Sequence, residues 1–132
     1  MPPGDVYTGF QLHAAENNIY KRGEVVVIKV ISLQTLERLK TKENIQEDPI
    51  KEISILQMFD ESSNNVCSQI DCIRDEKYIY SIMKHYGDEI FNIAGKISED
   101  QCRDYFRQII EGVKTLQKYD ICHRDLSLEN IL

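Results

Sequence analysis

The chain has 132 residues, enough for one domain with its own core and too few for two of ordinary size. Its net charge of −6 weighs against nucleic acid or an anionic membrane surface as a partner. No apolar run approaches the ~20 residues needed to span a bilayer, and Met1-Pro2-Pro3-Gly4 has neither the basic flank nor the apolar stretch of a signal peptide. The expectation is a soluble, intracellular, cytoplasmic chain with no membrane partner. Cys67 and Cys72 are too far apart for a zinc knuckle and have no histidine beside them. With Cys102 and Cys122 they read as free thiols in a reducing compartment.

In chain order, a weak strand is predicted from Phe10 to Ala15. The turn Arg22-Gly23-Glu24 leads into the strongest strand signal, the β-branched run Val25 to Ile31. Ser32 to Gln46 has the composition of a short surface helix. Asp48-Pro49 reads as an N-cap followed by proline at the first helical position, opening a helix that runs to about Phe59. Glu61 to Asn65 is a polar loop. Val66 to Arg74 and Lys77 to Lys84 are two strands joined at Asp75-Glu76, the second apolar enough to be covered on both faces. After a linker near Tyr86 to Asp88, Ser98-Glu99-Asp100-Gln101 carries a capping-box pattern. The helix it opens has a stripe of Tyr105, Phe106, Ile109, Ile110, Val113 and Leu116. Asp120 to Cys122 breaks that period before the closing run His123 to Leu132. Strands with an inserted helix, then a long helix, make the fold class α+β.

The closing run His123-Arg124-Asp125-Leu126-Ser127-Leu128-Glu129-Asn130 resembles the H-R-D-L-x-x-x-N catalytic loop of the eukaryotic protein kinase superfamily, serine/threonine type. Val26-Val27-Ile28-Lys29 resembles that family's V-A-I-K strand, and Lys51-Glu52-Ile53 resembles its R-E-I segment. Tyr78 to Tyr86 resembles the strand that leads into its hinge. The resemblance covers essentially the whole chain. It implies a small antiparallel-sheet N-lobe with one packed helix over residues 1–85, and a hinge with the first helices of a C-lobe over 86–132. It also implies ATP and Mg2+ as ligands and a protein substrate. Asp125 would be the catalytic base and Asn130 a metal ligand. Lys29 would meet the nucleotide phosphates and Glu52 would pair with it, Glu47 being the alternative partner. Met83 would stand as gatekeeper, with Lys84, His85 and Tyr86 as the hinge and Asp88 or Glu89 near the ribose. His123 would support the loop by packing, and Arg124 would be free to pair with a phosphorylated segment.

Gly4-Asp5-Val6-Tyr7-Thr8-Gly9-Phe10-Gln11 is the best match to the phosphate-covering glycine-rich loop, with Gly4 and Gly9 as ATP-binding positions and Val6 in place of the middle glycine. Ser127 stands where serine/threonine kinases carry a lysine that meets the γ-phosphate. No D-F-G follows the loop, so the chain reads as a kinase domain truncated just after it and inactive alone. The alternative reading is a pseudokinase-like or truncated binding and regulatory module without phosphoryl transfer.

Overall fold

The computed structural model describes residues 4–14, 20–41, 48–60, 62–63 and 65–132. They divide into two compact units, Met1–Asp60 with Cys67–His85 and Glu61–Val66 with Tyr86–Leu132.

The first unit is built on a four-stranded antiparallel sheet in the order β1-β2-β4-β3. Its strands are β1 (Gly4–Ala14), β2 (Tyr20–Ser32), β3 (Gln69–Arg74) and β4 (Tyr78–Lys84). The valine- and isoleucine-rich β2 is an interior strand, paired with β1 on one side and β4 on the other. The β3–β4 turn is organised by Asp75. Its Oδ1 accepts the backbone N–H groups of Lys77 and Tyr78, both at 2.7 Å, and the Tyr80 hydroxyl donates to Oδ2 at 2.8 Å. These bonds hold the Asp75 carboxyl below its ordinary value.

Two short helices, α1 (Leu33–Lys40) and α2 (Pro49–Leu56), complete the unit. Ser32 caps α1 through its side-chain oxygen, and Asp48 caps α2 by accepting from Ile50 and Lys51 ahead of which Pro49 needs no partner. The core is a cluster of Ile31, Leu36, Ile53 and Ile79, with Leu33 and Cys72 packed against it. It therefore ties both helices to the sheet.

Several elements differ from their sequence-based expectation. The helix after Ser32 spans Leu33–Lys40, residues 42–46 of the expected range lying outside the described residues, and sends Leu36 into the core, so it is more than a surface helix. Ala15, Glu47 and parts of the polar loop at Glu61 and Asn64 lie outside the described residues. β3 begins at Gln69 instead of Val66. In β4 burial alternates, with Ile79 and Ser81 buried and their neighbours more exposed, so the strand is not covered equally on both faces. The glycine-rich loop expected at Gly4–Gln11 is a strand: β1 pairs with β2 from Gly4↔Ile31 to Phe10↔Val25. Val6, Tyr7 and Thr8 favour that extended form. A Cβ on Gly9 would lie 3.0 Å from Ile28 Cδ1, so this glycine makes room for a side chain of the neighbouring strand.

The second unit is dominated by α3 (Glu99–Gln117). The capping box forms as the sequence predicts: Gln101 N–H donates to Ser98 Oγ at 3.2 Å, and Ser98 N–H donates to Gln101 Oε1 at 2.9 Å. On the expected apolar stripe Leu116 is buried, whereas Phe106 is 62% exposed. Gly112 is buried where the backbone of Asn65 crosses the helix, and Asn65 Nδ2 donates to Gln108 Oε1 at 3.1 Å. A 3-10 turn at Ile90–Ile93 is joined to the chain end by Ile90 N–H donating to Ile131 O at 2.8 Å. A second 3-10 turn spans Leu128–Asn130.

Candidate active site

In the first unit the chemistry centres on Lys29. Strand β2 carries it, α2 carries Glu52, and burial of the adjacent Ile53 fixes the face of α2 that meets the sheet. Lys29 Nζ donates to both carboxylate oxygens of Glu52, each at 2.6 Å. The lysine side chain is 20% exposed and the glutamate 48%, so the pair keeps a solvent-facing side. A pair this accessible contributes about 1 kcal/mol at most to folding. Its geometry places a cation reproducibly, which is the stronger consequence.

Strand register sets what shares the face of Lys29. Directly paired residues of an antiparallel ladder project to the same side. Val6 of β1 and Ser81 of β4 pair with Lys29, and Met83 pairs with Val27. Met83 is also the partner of Gln69 in β3. Ser81 is fully buried, and Gln69 Nε2 donates to its hydroxyl oxygen at 2.9 Å. Gln69 Oε1 is buried with no hydrogen-bond partner among the described residues. The face that holds Lys29 thus sets a polar Gln69–Ser81 patch beside the buried Ile31 and Ile79. Close by in sequence, burial raises the Cys67 thiol above its ordinary value and keeps it in the unreactive protonated form.

In the second unit, the run after α3 folds on itself. Asp120 and Arg124 have φ of 56° and 66°, a left-handed conformation that costs a non-glycine residue about 1 kcal/mol or more. Asp125 N–H donates to His123 Nδ1 at 3.4 Å. Asn130 Nδ2 donates to the backbone oxygen of Asp125 and to its Oδ2, both at 3.0 Å, and to Ser127 Oγ at 3.3 Å. Glu129 takes hydrogen bonds from its own backbone N–H and from the Ser127 hydroxyl, and these hold its carboxyl below the ordinary value.

The structure brings Lys29 together with Glu52, and Asp125 together with Asn130. Met83 lies on the sheet face of Lys29. His85 follows β4 and Asp88 lies in the linker, both exposed; Gly4 and Gly9 sit within β1. Sequence reasoning read Ser127 only as a missing cation and passed over Gln69 and Ser81. The signal for the latter pair was a Gln and a Ser on the strand face that also carries Ile79 and Met83. Among the described residues no group of three or more His, Cys, Asp and Glu side chains could hold a metal by itself. No helix among them is long and apolar enough to cross a membrane.

The family described as Protein kinase domain matches residues 14–132, beginning beyond Gly4 and Gly9. CBL-interacting serine/threonine-protein kinase 15 of Arabidopsis thaliana is 33% identical over 115 residues, which are 85% of this chain and 26% of that protein. Carbon catabolite-derepressing protein kinase of Candida tropicalis is 32% identical over 113 residues, 83% of this chain and 17% of that protein. The chain thus spans about a quarter or less of the length of these relatives.

Proposed function

The chain belongs to the protein kinase domain family, and from that premise we propose that it carries the nucleotide anchor and catalytic loop of a serine/threonine protein kinase. The reaction is transfer of the γ-phosphoryl of ATP to a hydroxyl of a protein substrate. Residues 1–85 would form the lobe that anchors ATP, and residues 86–132 the hinge and the first part of the helical lobe. A cytoplasmic setting belongs to the same proposal.

The observation that carries this reading is the bidentate Lys29–Glu52 pair. An ammonium group has three donors; Glu52 takes two, so one remains for a phosphate oxygen. Glu52 also stops the charge from wandering, so the cation waits where phosphate must come. Met83 would border the adenine and His85 would offer backbone groups to its edge, with Asp88 near the ribose. Asp125 keeps Oδ1 for the proton of the attacking hydroxyl while Oδ2 is held by Asn130.

Asn130 would supply an oxygen donor of the hard kind that suits Mg2+, an ion that habitually completes its shell with water and phosphate oxygens and does not need an all-protein cage. The donor set therefore fits, with Asn130 Oδ1 as the ligand. When bound, the ion would neutralise charge building on the transferred phosphoryl group.

A second reading, a nucleotide-binding regulatory module without transfer, is favoured by Ser127. Among the described hydrogen bonds of Asp125 and Asn130, none comes from a lysine or arginine. The two readings separate in an assay of labelled γ-phosphoryl transfer to serine- and threonine-containing peptides. Transfer that Asp125→Asn abolishes supports the kinase reading. ATP binding that Lys29→Met abolishes, with transfer no greater than that of Asp125→Asn, supports the module.

A further inference from the structure

The side-chain amide of Asn130 is surrounded unequally. Its nitrogen faces three acceptors, the Asp125 backbone oxygen, Asp125 Oδ2 and Ser127 Oγ, at 3.0, 3.0 and 3.3 Å. Two amide protons serve three oxygens, so one proton is shared. The last torsion of an asparagine is broad, with two opposite orientations of nearly equal intrinsic energy. The oxygens of Asp125 select which end of the amide faces them. They do not by themselves fix its angle, because both belong to one residue on one side. Ser127 supplies the contact from a second residue.

The direction of that contact follows from the amide itself: its nitrogen carries only protons, so Ser127 Oγ can meet it only as an acceptor. Ser127 Oγ thus accepts from Asn130 with a lone pair, whichever way its own proton turns. An amide oxygen in the nitrogen's place would meet a carbonyl oxygen and a carboxylate, both acceptors only. That arrangement is repulsive twice over.

We infer that Ser127 is a positioning residue, an acceptor that locks the Asn130 amide with its nitrogen toward Asp125 and leaves Oδ1 turned outward for a metal ion. Ser127 thus acts through Asn130 and touches no reacting atom. The proposal rests on the reading of Asn130 as a metal ligand, but the lock itself is visible without any metal. Threonine keeps the hydroxyl and preserves the lock; alanine removes it.

The test is proton NMR of the 15N-labelled 132-residue chain, following solvent exchange of the two Asn130 Nδ2 protons. In the unsubstituted chain they exchange more slowly than those of a free asparagine side chain. Ser127→Ala speeds their exchange about fivefold, the equivalent of one ordinary hydrogen bond, and Ser127→Thr restores the original rate. Mn2+, added as a paramagnetic stand-in, broadens the Asn130 signals, and Ser127→Ala raises the concentration required about tenfold, as loss of an outer partner of a metal ligand does. Equal exchange rates in the unsubstituted chain and Ser127→Ala would overturn the inference. So would Asn130 protons that exchange as freely as a free side chain in the unsubstituted protein, a measurement that needs no variant to fold. Protection that depends on Ser127 without any Mn2+ broadening would support the lock and remove the metal role from Asn130.

Discussion

Replacing Gly112 by alanine sets two physical effects against each other. In the interior of α3, alanine is favoured over glycine by about 1 kcal/mol from helix propensity alone. The added Cβ, however, would lie 2.4 Å from the backbone oxygen of Asn65 and 3.5 Å from its Cβ. Ordinary van der Waals contact requires one of the two backbones to retreat by about 1 Å. Asn65 is poorly placed to yield, since its φ is 57° and its side chain is tied to Gln108. Overpacking of this kind costs about 1–3 kcal/mol, so the net expectation is a loss of about 1 kcal/mol. Amide hydrogen exchange along α3 reads this unit directly, and Gly112→Ala speeds it about fivefold. Slower exchange in the variant, the outcome that propensity alone demands, would refute the close approach of Asn65 to the helix.

Three further outcomes follow from the sheet unit. Glu52→Gln keeps the shape of the Lys29 partner but removes its charge, so ATP binding measured by calorimetry weakens about tenfold, the effect of losing about 1.4 kcal/mol of phosphate-cation positioning. Asp48→Ala removes the acceptor for Ile50 and Lys51 at the start of α2 and destabilises the unit by about 1 kcal/mol in urea denaturation. Asp75 has its folded pKa lowered from 3.8, so the stability it contributes is present above 3.8 and is lost as pH falls through the folded value. Thermal melting of the unsubstituted chain therefore loses stability in acid below 3.8 through this group, and Asp75→Asn flattens that part of the profile.

The features legible in the sequence were those fixed by neighbours a few residues apart or by a motif. Ser98 and Gln101 announce their capping box because both partners lie within one helical turn. Asp48-Pro49 does the same for α2. The α+β order followed from the β-branched run of β2 and the period of α3. Lys29 and Glu52 were paired through the resemblance alone, since nothing local in the sequence joins a strand to a helix beyond it. What stayed hidden depends on contacts across the chain. Gly112 looks like a weak point in a helix until the backbone of Asn65 is found against it. Gly4 and Gly9 have the composition of a loop, yet the residues between them fit a strand, and pairing with β2 settles the contest. Ser127 read as the absence of a lysine because a hydrogen bond from Asn130 leaves no trace in residue type. Phe106 shares the helical period of Leu116 but is largely exposed, since periodicity identifies a face and not what covers it.

The central claim is that Lys29, held by Glu52, is the cation on which ATP binding turns. Isothermal titration of ATP with Mg2+ into the chain, beside Lys29→Met, tests it most directly. Saturable binding that the variant weakens at least about tenfold is the predicted result. Equal affinity in the two proteins, or no binding in either, would contradict it.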